Sequence, residues 1–78
     1  MTLSQFNQLD EMEQIETVWS GTHIGTRSDA DHDILLYQMG KLYVEVFYRR
    51  ETNTIRKFNA FEDLEQLQPY LHSIKIKL

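Results

Sequence analysis

The stretch Ile34–Tyr48, I-L-L-Y-Q-M-G-K-L-Y-V-E-V-F-Y, constrains this chain more than any other. Two runs rich in aliphatic and aromatic residues flank Gly40-Lys41. A two-residue loop with glycine in its first position suits a type II′ hairpin turn. If Met39 and Leu42 flank the turn, Tyr37 faces Val44 and Leu35 faces Val46. If the turn slips to Met39-Gly40, Leu35 and Tyr37 face Val44 and Leu42 instead. Both registers give the same two faces, because side chains alternate along a strand and both loops have two residues. One face carries Leu35, Tyr37, Leu42, Val44, Val46 and Tyr48, and is the expected core. The other carries Ile34, Leu36, Gln38, Tyr43, Glu45, Phe47 and Arg49, more apolar than a solvated face requires.

The rest of the chain reads as elements laid onto this hairpin. Before it, Phe6, Leu9, Met12, Ile15 and Val18/Trp19 recur at helical spacing. Asp10 can cap a helix running to about Ser20, with Glu11 and Glu13 at the positive end of its dipole. Residues 3–8 form a short separate turn, and Gly21 follows the helix as its stop. Thr22–Arg27 is polar but β-prone and reads as an edge strand, followed by the turn Ser28–Asp31.

After the hairpin, Glu51–Thr54 is a turn in which Asn53 is the candidate for a left-handed conformation. Ile55–Asn59 reads as a further strand with Phe58 facing the core. Asn59 can cap a second helix, with Glu62 completing a capping box. Phe61, Leu64, Leu67, Leu71 and Ile74 form the apolar stripe of that helix. Pro69 ends or kinks it near Gln68, leaving Tyr70–Ser73 as a separate turn. Ile74–Leu78 alternates like a strand and is either a tail or a partner for a sheet edge.

The expected fold is therefore α+β with the order α-β-β-β-β-α. An antiparallel four-stranded meander carries the N- and C-terminal helices on one face, in two layers, within a single domain over residues 1–78. The run Gly40–Tyr48, with Glu51-Thr52-Asn53, Phe61 and Gln68-Pro69-Tyr70-Leu71, resembles small single-domain bacterial proteins of uncharacterised function. The resemblance spans Trp19–Leu71 and rests on strand, turn and helix-end motifs. It implies the fold and a bacterial source, and it implies no activity.

Composition narrows the function classes. There is no cysteine among the 78 residues, so disulfides and thiolate zinc sites are excluded. No apolar run approaches the ~20 residues of a membrane span. The N-terminus lacks the basic start and apolar stretch of a signal peptide, so the expectation is a cytoplasmic protein with no membrane partner. Net charge is −4, unevenly spread: residues 1–33 hold seven acids and one base, residues 34–78 five acids and seven bases. Overall acidity argues against broad nucleic-acid binding, which rests on phosphate neutralisation.

Chemistry-bearing motifs are few. Asp29, Asp31 and Asp33 alternate like the opening of an EF-hand loop, but Ile34 stands where glycine is needed and Gly40 where the bidentate glutamate belongs. An aspartate-rich turn needs no metal, because aspartate supports turns through backbone hydrogen bonds. His23, His32 and His72 are too scattered for a zinc set. No serine stands in a nucleophile elbow, and the three glycines form no phosphate loop. The expectation is a protein that is not an enzyme and carries no cofactor and no metal.

Two surfaces remain as candidate binding sites. Ile34, Leu36, Tyr43 and Phe47 form an apolar patch on the second hairpin face, suited to a homodimer or a protein partner. The alternative occupant of that face is the chain's own C-terminal segment or a helix. Arg49, Arg50, Arg56 and Lys57 gather four positive charges at one hairpin end. Like charges opposite one another cost stability, so Glu51 or the acidic first helix is expected to offset them. A bound phosphate, acidic peptide or nucleic acid is the functional alternative. The leading expectation is an interaction domain acting through the open sheet face, and the second is an anionic-ligand binder at the basic end.

Overall fold

In the computed structural model, which describes residues 1–70, the chain forms two short helices, four strands and a 3-10 segment. These are α1 (Leu3–Gln8), α2 (Glu11–Trp19), β1 (Thr22–Ser28), β2 (His32–Met39), β3 (Leu42–Arg49), β4 (Thr54–Phe61) and η1 (Leu64–Tyr70). The strands pair in sequence order as one antiparallel meander, β1-β2-β3-β4.

Both helix starts are capped by local chemistry. The Asp10 side chain accepts from the Glu13 N–H, and Glu13 accepts from the Asp10 N–H, closing a capping box. Thr2 and Gln5 do the same for α1. Gly21 does not end α2 by turning left-handed, since Gly40 is the only described glycine with positive φ. A Cβ at Gly21 would lie 2.7 Å from Met39 Cγ and 3.0 Å from the Gln38 carbonyl oxygen. Glycine is required there by close approach of the backbone to β2.

The hairpin takes the first of the two expected registers. Met39 pairs with Leu42, Tyr37 with Val44 and Leu35 with Val46. Gly40 has φ 62° and Lys41 stays at negative φ, as a type II′ turn requires. Asn53 is left-handed at φ 52°, as its place in the Glu51–Thr54 turn suggests. A bulge between Phe47 and Tyr48 leaves Arg56 without a direct cross-strand partner on the β4 edge. A charged residue in a bulge on an edge strand opposes further strand pairing.

The expected core face holds in part, with Leu35 only half-buried. Leu42, Val44 and Val46 are buried with Phe6 of α1 and Val18 of α2, and Tyr37, Met39, Tyr48, Ile55, Phe58 and Ala60 pack around them. The helical stripe is only partly used: Met12 and Trp19 remain exposed. Trp19 instead meets Tyr37 edge-on at 5.4 Å.

The second half departs from expectation. The Asn59-capped helix does not form. Asn59 and Phe61 continue β4, pairing with Glu45 and Tyr43. The chain then makes a single 3-10 segment, begun by Asp63, whose carboxylate accepts from the Glu65 N–H at 2.9 Å. Pro69 within this stretch removes a backbone donor, and a run this short gains little from α-helical propagation. In a 3-10 helix residues three apart align, which puts Leu67 and Tyr70 on one side. Both are buried, and they pack with Leu36, Tyr43 and Phe61 on the sheet face opposite the helices. The C-terminal element thus lies across the sheet from α1 and α2. The expected roles of Leu71, Ile74 and the Ile74–Leu78 alternation fall outside the described residues.

Candidate functional site

Arg49 ends β3, Arg50 opens the following turn, and Arg56 sits in the β4 bulge. With Ala30, Asp31 and Glu51 they line a hollow of about 290 Å³. Its two walls are the β2-leading turn and the β3–β4 turn. The Arg50 N–H donates to the Asp31 carbonyl at 3.1 Å, which ties these walls together.

The first wall is built by Asp29. Its Oδ1 accepts from the N–H groups of Asp31 and His32, both at 2.8 Å, and lies 3.1 Å from His32 Nδ1. The Asp31 backbone bond above all, with the backbone and side chain of His32, holds the Asp29 carboxyl below its usual range against the opposing effect of desolvation. His32 is nearly buried, edge-on to Phe47. Its Nε2 lies 3.3 Å from Arg56 Nη1. A guanidinium only donates, so Nε2 must accept, and the ring proton belongs on Nδ1, donated to Asp29. Asp29, His32 and Arg56 therefore form a chain of contacts that aims one guanidinium.

Repulsion among the arginines is offset from an unexpected side. Arg50 Nε donates to Asp33 Oδ1 at 3.1 Å. Glu51 stands on the wall of the hollow. Lys57 does not join the cluster. Its ammonium lies 4.6 Å from the centroid of the Phe47 ring, a cation–π contact on the sheet face. Three of the four expected basic residues are thus brought together, and all four are exposed.

The apolar candidates have a different fate. Ile34 and Leu36 are fully buried, and Tyr43 and Phe47 are 6% and 8% exposed. They offer no surface patch. The residue that organises their face is Glu45, 4% exposed between Tyr43 and Phe47. Its Oε2 accepts from Arg27 Nε and Nη2, at 3.1 and 3.0 Å, and from the Tyr70 hydroxyl at 2.6 Å. Its Oε1 accepts from Asn59 Nδ2 at 2.8 Å. The Arg27 guanidinium lies 5.7 Å from the Tyr70 ring and 6.0 Å from the Phe47 ring. Burial lowers the pKa of this guanidinium, but hydrogen bonding to Tyr70 and Glu45 and the Glu45 charge outweigh it and raise the net value. Burial and the Glu45 carboxylate push the Tyr70 hydroxyl far above its ordinary range, against the effect of Arg27. A buried carboxylate with four donors is a satisfied structural hub. In the sequence it stands as an acid between Tyr43 and Phe47 on one strand face.

Among the described residues, no three histidine or acidic side chains converge as a metal site. Asp29 and Asp33 are engaged with His32 and Arg50. No helix among them is long and apolar enough to cross a membrane. Neither family models, nor curated proteins, nor solved structures yield a match to this chain.

Proposed function

We propose that this protein is a non-enzymatic binding module for an anionic group, held at the hollow lined by Arg49, Arg50 and Arg56. The observation that supports it is that three exposed arginines line one recess of about 290 Å³. Arginine forks match phosphate and carboxylate oxygens two at a time. Arg50 spends its Nε–H on Asp33, and Arg56 one Nη1 contact on His32. A guanidinium has five N–H donors, so each retains several for a ligand. The two turns are cross-tied, which lowers the ordering cost of binding.

Self-association through Ile34, Leu36, Tyr43 and Phe47 is not the reading we adopt, because all four are buried within one chain. The test is a titration with inorganic phosphate followed by backbone amide shifts. Phosphate is expected to move resonances of residues 30–33 and 49–56, and Arg50→Glu with Arg56→Glu to abolish the shifts. Binding elsewhere, or binding indifferent to both substitutions, refutes the proposal.

A further inference from the structure

The hollow is not uniformly basic, and its mixed lining points to a ligand class. We infer that it takes a short phosphorylated polyol, with the phosphate on the arginines and hydroxyl groups on Asp31 and Glu51. The inference rests on the anion-binding reading above and narrows it.

Three features carry it. The first is charge. The lining residues include three arginines and two acids. A bare anion gains from the arginines and is repelled by the acids. A ligand that pairs an anionic group with hydrogen-bond donors satisfies both sets, since a carboxylate only accepts. The second is size. A hollow of about 290 Å³ has room for a phosphate and a short hydroxylated chain. The third is the surrounding field. The chain is acidic overall at −4. That net charge opposes an extended polyanion, whose affinity rests on neutralising many phosphates, more than it opposes a compact ligand.

The experiment is calorimetric titration of the full chain with four probes: glycerol 3-phosphate, inorganic phosphate, glycerol and a single-stranded oligonucleotide. Glycerol 3-phosphate is expected to bind about tenfold more tightly than inorganic phosphate, the scale of one to two added hydrogen bonds to charged groups. Glycerol alone is expected not to bind. Asp31→Ala combined with Glu51→Ala should erase the advantage of glycerol 3-phosphate over inorganic phosphate, and Arg56→Gln should weaken both. Equal affinity for the two phosphates in the unaltered chain overturns the inference while leaving the anion site standing. So does an advantage that survives the Asp31/Glu51 double substitution, or tighter arginine-dependent binding of the oligonucleotide. Loss of all arginine-dependent binding overturns the anion reading itself, and the inference with it.

Discussion

The two faces of the sheet are closed by opposite means. The helix face is sealed by many apolar contacts, spread over Phe6, Val18, Leu42, Val44 and Val46 and their partly buried neighbours. The other face is sealed by one short segment, which contributes Leu67 and Tyr70 and is anchored to the buried Glu45 carboxylate. Dispersed packing degrades gradually when one residue is trimmed. A face that depends on a single satisfied charge fails at one point, because removing any partner strands the others away from water. The comparison therefore predicts unequal sensitivity in a domain whose total stability is roughly 4–12 kcal/mol at 0.05–0.15 kcal/mol per residue.

The largest effect is expected from Tyr70→Ala. It removes a fully buried aromatic ring and a donor to Glu45 together. A loss of about 3–5 kcal/mol in urea denaturation is expected, a large share of the total. A loss below about 1 kcal/mol would show that the 3-10 segment is an ornament and that the two faces do not differ as described. Trimming Val46 to Ala on the helix face is the matched control and should cost about 1–2 kcal/mol.

The hub itself is isolated next. Glu45→Gln keeps the shape but withdraws the charge and one acceptor, and should cost about 2 kcal/mol. Tyr70→Phe should cost slightly less, since the ring stays buried. The double substitution should cost less than the sum, with a coupling of about 1–2 kcal/mol, because the two residues share one 2.6 Å bond. Additive losses would mean that the hydroxyl and the carboxylate act independently.

This contrast also marks what the sequence disclosed. The helix face was legible because alternation in Ile34–Tyr48 and helical spacing from Phe6 to Val18 express the same apolar partition in two periods. Asp10, Gly40 and Asn53 were legible because caps and turns depend on neighbours in sequence. The opposite face was not. Phe61, Leu64 and Leu67 fit a helical period, yet Phe61 is better satisfied in β4, stacked 5.6 Å from Tyr43. That gain depends on a partner 18 residues away along the chain, in which no local pattern is written. Alternation placed Glu45 on that face, but its partners Arg27, Asn59 and Tyr70 come from three other elements. For the basic end the outcome was intermediate. The Arg49-Arg50 and Arg56-Lys57 pairs flank a turn, so their approach followed from hairpin geometry. The bulge that turns Arg56 towards His32, and the stacking of Lys57 on Phe47, did not.

Alkaline pH gives a smaller and sharper probe of the hub. The Tyr70 hydroxyl is raised by burial and by Glu45. A group whose folded pKa is raised contributes its full stability below the unfolded value, about 10 for tyrosine, and loses it as pH climbs towards the folded value. The melting temperature should therefore fall as pH rises beyond about 10. Tyr37 and Tyr48 are also raised by burial and contribute a share of the decline. Tyr70→Phe should flatten the curve while leaving that share. An identical slope in the variant would place the alkaline sensitivity entirely on the helix face.

The smallest effect is expected at the acidic end, in the turn that supports the arginine hollow. The Asp29 carboxyl is held low chiefly by the Asp31 N–H, then by His32. A depressed group stabilises the fold above its unfolded pKa and loses that contribution as pH falls through the folded one. Asp29→Asn keeps an oxygen acceptor in place and removes only the charge, so the variant and the parent should differ at neutral pH and converge in acid. The convergence is informative because Asp29 also fixes the His32 ring that aims Arg56. If the charge matters mainly to the turn, phosphate binding in Asp29→Asn should be nearly unchanged. If it matters mainly to His32, binding should weaken at neutral pH while stability scarcely moves. Since Asp29 Oδ1 receives two backbone bonds at 2.8 Å and the ring nitrogen at a longer 3.1 Å, the expected outcome is the first. The turn holds the wall of the hollow, and the wall, more than the charge, holds His32 and Arg56.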